Sequence, residues 1–188
     1  MWIAAIRTNT ITCTLVYSIA IVVYNEGGLA AIPVVKNLIG AIGLGCYCWG
    51  TTIIYGTNCR KLSASAQVIL TDRFIQDGGK ELHGQKAIAV LMISAIFATT
   101  GHAQDFRDRS ADTTQGRKTI PLLLSQPVAR WSLAAMTVGW TIGLISLWKP
   151  PVIAALVYAA AGMRCLSGFL SSYEEKDDYV SYCWYGVG

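Results

Sequence analysis

Charge is what this sequence has least of. Of its 188 residues, 14% are Asp, Glu, Lys or Arg, against roughly 25% in an average soluble domain. With 53% hydrophobic residues and a mean hydropathy of +0.44, too little charge is left to cover a water-facing surface. A soluble core of this size does not need so apolar a chain, so an integral membrane protein is expected. The net charge is +4, but the cations sit in short segments between apolar runs. Membrane-protein loops are charged in that way, and the pattern sets nucleic acid aside as a partner.

Paired metal-binding cysteines are also missing. Cys46 and Cys48 form CxC rather than CxxC, and no second pair or nearby histidine completes a zinc site. Cys13, Cys46, Cys48 and Cys165 fall inside apolar segments, where a thiol acts as a small hydrophobe. Cys59 and Cys183 stand near span ends without an obvious partner, and all six are expected to be free thiols. No cleavable leader is evident, because Arg7 interrupts the first apolar stretch. No internal repeat is evident either.

What the chain does have is apolar runs. A membrane helix needs about 20 residues, and runs near that length are expected to span at Asn9–Tyr24, Leu38–Gly56, Ala87–Thr100, Trp131–Trp148 and Val152–Leu170. A sixth span is expected to start at Tyr179. The fold class is therefore all-α, a multi-pass transmembrane helical bundle of about five to six helices. Small residues such as Gly43 and Gly45 suit close helix packing in lipid. Pro150-Pro151 predicts a tight antiparallel hairpin between the fourth and fifth spans. Residues 57–86 and 105–130 are expected as extramembrane loops, the former a mobile connector or a short surface helix. Single crossings put 25–37, 105–130 and 171–179 on one side. Loops 57–86 and 105–130 carry five Lys and Arg each, so the positive-inside rule assigns neither to the cytosol.

One segment concentrates the scarce charge: HAQDFRDRSADTTQGRKTIP, residues 102–121. If the third helix continues through it, Asp105, Asp108 and Asp112 share a face at i, i+3 and i+7. Three like charges there need compensation, either from Arg107, Arg109, Arg117 and Lys118 or from a divalent cation. Magnesium typically takes one or two carboxylates plus substrate phosphates and water. The other reading is a solvated polar loop with interfacial salt bridges. Lys36 is open in the same way between a ligand and a snorkelling lysine. Arg164, inside an apolar span, is open between a functional residue and one reaching the interface. Glu174, Glu175, Asp177 and Asp178 read as a solvated loop.

The string Asp105-x-x-Asp108-x-x-x-Asp112-x-x-x-Gly116-Arg117-x-Thr119-x-Pro121 resembles the second aspartate-rich motif of the UbiA superfamily of intramembrane prenyltransferases, close to DxxDxxGDxxxGRxTxP. Ala111 stands where that pattern has glycine. Residues 24–45, YNEGGLAAIPVVKNLIGAIGLG, are similar to the family's segment between its fourth and fifth helices, with Tyr24, Lys36 and Asn37 in the matching places. The spacing is more like the fungal branch found beside terpenoid pathways. GMRCLSGFLSSYEEKDDYVSYCWY, near the end, is a weaker similarity.

The resemblance implies a Mg²⁺-dependent prenyltransferase in an intracellular membrane. It would move an isoprenyl group from an isoprenyl diphosphate to an aromatic or other small hydrophobic acceptor. Asp108 and Asp112 would be catalytic and, with Asp105, would hold Mg²⁺. Tyr24, Lys36, Asn37, Arg117 and Lys118 would bind the diphosphate. Phe97 and Trp140 are aromatic candidates for stabilising an allylic cation. A terpene cyclase acting on farnesyl diphosphate fits the same residues. The family's first acidic motif, NxxxDxxxD, is not found, so the resemblance is to the C-terminal portion of a member. A catalytically inactive membrane fragment is the third expectation.

Overall fold

The structure, a computed structural model, describes residues 2–8, 10–63 and 84–187. Among them every regular element is helical. In chain order these are α1 (Trp2–Thr8), α2 (Ile11–Asn25), a 3₁₀ turn at Leu29–Ala31, α3 (Pro33–Ser63) and α4 (Gly84–Thr100). Three short helices follow, α5 (Ala103–Arg107), α6 (Arg109–Thr114) and α7 (Ile120–Leu123). Then come α8 (Gln126–Trp148), α9 (Val152–Ser171) and α10 (Glu175–Val187).

Among the described residues, four stretches are long and apolar enough to cross a membrane: Pro33–Ile54, Gly84–Arg107, Gln126–Trp148 and Val152–Ser171. They match the second to fifth expected spans, and the third does extend past His102 to the first aspartate. Helix α2 is apolar but has 15 residues, about 22 Å at 1.5 Å per residue, short of a hydrocarbon core of about 30 Å. The sixth segment differs from expectation. Its helix begins at Glu175 rather than Tyr179, with Glu175, Asp177 and Asp178 in the first turn. Carboxylates suit that position because they face the positive end of the helix dipole. Most of the 57–86 connector, residues 64–83, lies outside the described residues, as does Asn9; α3 runs on through Ser63.

The chain divides into two compact units. The first comprises Met1–Leu29 and Leu38–Ala95. Its helices approach through small residues, as the glycine-rich run predicts. A Cβ on Gly43 would meet the Tyr17 ring at 3.5 Å, one on Gly50 would meet Cys13 Sγ at 3.3 Å, and one on Gly45 would collide with Ser94 Oγ. The described thiols of Cys13, Cys46, Cys48, Cys165 and Cys183 are free.

The second unit, Ala30–Asn37 with Ile96–Gly188, carries the charged segment. Its core joins Ala103 and Phe106 of α5, Ala129 and Leu133 of α8, and Cys165 and Phe169 of α9. Tyr182 and Tyr185 of α10 pack against this cluster. Helices α8 and α9 pack on each other and are joined through Pro150-Pro151. Lys149 takes the left-handed conformation (φ 44°) that ends α8, while its N–H donates to Ile145 O. Helix α10 then packs against both α9 and α5. At Gly168 the α9 backbone approaches α10 so closely that a Cβ would collide with Ser181 Oγ.

Candidate active site

Residues 102–121 are largely helical. Helix α4 ends at Thr100, and the chain turns at Gly101 and His102 before α5 begins. Asp108 sits between α5 and α6 with φ −109° and ψ 17°, so the helix breaks again there. Gly116, at φ +65°, supplies the left-handed residue just after α6.

These breaks change the expected common face. Asp105 and Asp112 are buried, with side chains 2% and 4% exposed, whereas Asp108 is 43% exposed. The three carboxylates still stand near enough for Asp108 and Asp112 to repel Asp105. Each also has a cation. Lys36 Nζ donates to Asp105 Oδ1 at 2.7 Å. Arg107 Nε and Nη2 donate to the two oxygens of Asp108 at 2.8 and 2.7 Å. Those hydrogen bonds hold the Asp108 carboxyl below the usual carboxylate range. Arg117 Nη1 reaches Asp112 Oδ1 at 3.5 Å, a loose contact from a side chain that is 62% exposed.

Lys36 and Asn37 stand in the first turn of α3 rather than in a loop. A cation at a helix N-terminus opposes the dipole by roughly 0.3–1 kcal/mol, and the Asp105 ion pair offsets that cost. Several polar atoms here are buried without a hydrogen-bond partner: Asp105 Oδ2, Asn37 Oδ1 and Thr119 Oγ1. Buried polar groups are ordinarily satisfied, so these are open positions for a polar ligand. Lys118 is exposed. Tyr24 belongs to α2, in the first unit.

The donor chemistry suits a hard cation. Among the described residues no three His, Cys, Asp or Glu side chains converge as a preformed metal centre. Magnesium held through one or two carboxylates, with phosphate and water as its other ligands, needs no such triad. The free Asp105 oxygen and the buried Asp112 fit that mode.

Sequence reasoning missed a second layer of charge. Asp178, read as part of a solvated loop, is fully buried. It accepts from Arg130 Nη1 and Nη2 at 2.6 and 2.8 Å and from Arg109 Nη2 at 2.7 Å. Arg130 is also buried; it donates to Phe169 O at 2.6 Å and lies over the rings of Phe106 and Tyr173, 4.8 and 4.7 Å from their centroids. Arg109 donates further to Gln126 Oε1 and to the carbonyls of Phe106 and Tyr173. Glu175 accepts from Ser110 N–H and Oγ. Glu174 does keep to the surface, paired with Lys176. The one available signal was the expense of charge in so apolar a chain, which makes each acid or base a candidate for pairing. Arg164, the other intramembrane candidate, is exposed and lies over the Trp184 ring, 5.4 Å from its centroid. Trp140 Nε1 donates to Thr99 Oγ1 at 2.8 Å.

The UbiA prenyltransferase family model matches residues 1–187. The chain belongs to the UbiA prenyltransferase family. It is also 75% identical, over 186 residues, to the fumagillin beta-trans-bergamotene synthase of Aspergillus fumigatus. That match covers 99% of this chain and 57% of the relative, so the chain spans just over half the relative's length. No solved structure matches it. As a UbiA member with four helices long enough to span, this is a multi-pass membrane protein.

Proposed function

We propose that the whole protein to which this UbiA chain belongs is a Mg²⁺-dependent terpene synthase. It would ionise an isoprenyl diphosphate, with farnesyl diphosphate as the substrate, and close the allylic cation onto the substrate's own double bond. The observation that carries this reading is 75% identity, over 99% of the chain, to a protein named as a bergamotene synthase. The local geometry supports it, because buried carboxylates, cations and unpartnered acceptors gather at the end of a membrane-length helix.

In this reading Asp112, Asp108 and the free oxygen of Asp105 would hold Mg²⁺, which would supply charge neutralisation for the diphosphate. Lys36, already fixed by Asp105, presents its remaining N–H donors to phosphate oxygens. Arg117 and Lys118 are exposed and free to swing onto the same oxygens, with Arg117 suited to bidentate contact. Asn37 completes the diphosphate contacts. The C–O bond breaks with its electron pair on the diphosphate. A double bond of the chain then captures the cation, and loss of a proton leaves a neutral hydrocarbon. The surrounding apolar helices keep water from quenching the cation. Aromatic faces such as those of Phe97 and Trp140 would stabilise it by about 1–2 kcal/mol when desolvated.

The family's name favours a second reading, transfer of the prenyl group to an aromatic or other small acceptor. Both share the ionisation and differ in the nucleophile. Membranes containing the whole protein, given farnesyl diphosphate and Mg²⁺ without any acceptor, distinguish them. A cyclic hydrocarbon is the expected product. Turnover that appears only when an aromatic acceptor is added would overturn the cyclase reading. Asp112→Asn is expected to abolish the Mg²⁺-dependent product, and unchanged activity would remove the aspartate motif from the mechanism.

A further inference from the structure

Helix α10 touches the aspartate segment with a single face. Glu175, Asp178, Tyr182 and Tyr185 are spaced i, i+3, i+7 and i+10, which aligns them along one side of a helix. Each engages the chain between Thr100 and Ser110. Glu175 accepts from the N–H and hydroxyl of Ser110 at 3.2 and 2.8 Å, beside the start of α6. Asp178 holds Arg109, the first residue of α6, at 2.7 Å. Tyr182 lies beneath Arg107, 4.5 Å from ring centroid to guanidinium carbon, and Arg107 grips both oxygens of Asp108. The Tyr185 hydroxyl bonds Thr100 Oγ1 at 2.8 Å, just before the turn into α5.

The geometry points to α10 as a template that positions the aspartate segment. Asp178 and Tyr182 are positioning residues, acting on Asp108 and Asp112 through Arg109 and Arg107. Two short helices of five and six residues, broken at Asp108, cannot fix carboxylate positions by themselves, since isolated helices that short are unstable in water. The α10 face replaces the missing helical continuity with contacts at both ends and in the middle. Arg130 ties the same Asp178 to the core, through its bond to Phe169 O and its place over Phe106. The α10 face, α5 and the buried core are therefore joined by one set of contacts.

The inference rests on the diphosphate reading, and its test separates the two. The whole protein is purified in detergent, and its Tm is followed while Mg²⁺ is titrated at saturating inorganic pyrophosphate. Arg109→Gln leaves the Arg130–Asp178 pair in place, and Tyr182→Leu removes the ring beneath Arg107 together with its stacking on Tyr185. Both are expected to lower the ligand-free Tm, so each titration is read as a shift from the variant's own ligand-free Tm. The Mg²⁺ concentration giving half of the shift should rise about tenfold or more, the usual scale for losing a residue that orients a ligand. Tyr182→Phe, which retains the ring, should restore the wild-type titration. Glu175→Gln, on an exposed contact, gives the same readout should Arg109→Gln fail to fold. Folded variants with an unchanged Mg²⁺ requirement would overturn the template. A wild-type protein indifferent to Mg²⁺ and pyrophosphate would instead overturn the proposed function beneath it.

Discussion

At the scale of single residues, the site is a set of charges each answered by a neighbour. Lys36 and Asp105 are 17% and 2% exposed, so removing one leaves the other uncompensated away from water. Breaking a buried pair costs about 3–5 kcal/mol, while replacing both partners with apolar residues is often close to neutral. Lys36→Ala is therefore expected to lower the detergent-solubilised Tm sharply, and Lys36→Met with Asp105→Leu to recover most of it. A double mutant no more stable than the single one would show that the pair is not the source of the loss. Asp108 gives a pH prediction. Arg107 depresses its folded-state pKa, so its contribution is present above the ordinary carboxylate value and lost as pH falls through the depressed one. Because Asp108 is 43% exposed, that loss should be small and should shrink further in high salt. Arg107→Gln should remove it from the acid limb of a Tm-against-pH profile.

At the scale of elements, the contact between α9 and α10 decides where the acids stand. Gly168 lets Ser181 approach the α9 backbone, and Ser181 Oγ is already committed to Asp177 O at 2.9 Å. Gly168→Val should push the helices apart and cost about 1–3 kcal/mol, the usual range for overpacking. Since α10 carries Asp178 and Tyr182, the same variant should also weaken Mg²⁺–pyrophosphate binding. A variant with lowered Tm and intact binding would uncouple the two. Arg130 belongs to this scale too, because it joins α8, α9 and α10 through Phe169 O and Asp178. Arg130→Ala would strand a buried carboxylate shared with Arg109 and should cost about 3–5 kcal/mol in thermal unfolding.

At the scale of the whole molecule, large apolar side chains such as Leu91, Ile142, Ile153 and Leu156 are exposed along the spanning helices. Lipid rather than water is their natural surrounding, since a bilayer offers no penalty for them and requires only that backbone polar groups be satisfied within each helix. Alkaline carbonate washing of membranes should leave the protein in the pellet, and its appearance in the supernatant would contradict the multi-pass reading. This UbiA chain covers 57% of the bergamotene synthase it resembles, which makes terpene synthesis a proposal about the whole protein.

The sequence by itself determined the solvent, the helices and the family. Apolar runs of membrane length follow from composition, and helix is the element that satisfies its own backbone in lipid. The spacing of Asp105, Asp108, Asp112, Gly116, Arg117, Thr119 and Pro121 carried the family resemblance, which the family match upholds. Lys36–Asp105 and Arg109–Asp178 join residues far apart in the chain. Only the tertiary structure decided which acids are buried, where the third helix breaks, and that Asp178 is a core residue rather than a loop charge. Periodicity reports which residues share a face of one helix. Whether that face meets lipid, water or two arginines from elsewhere in the chain depends on packing between segments nearly seventy residues apart.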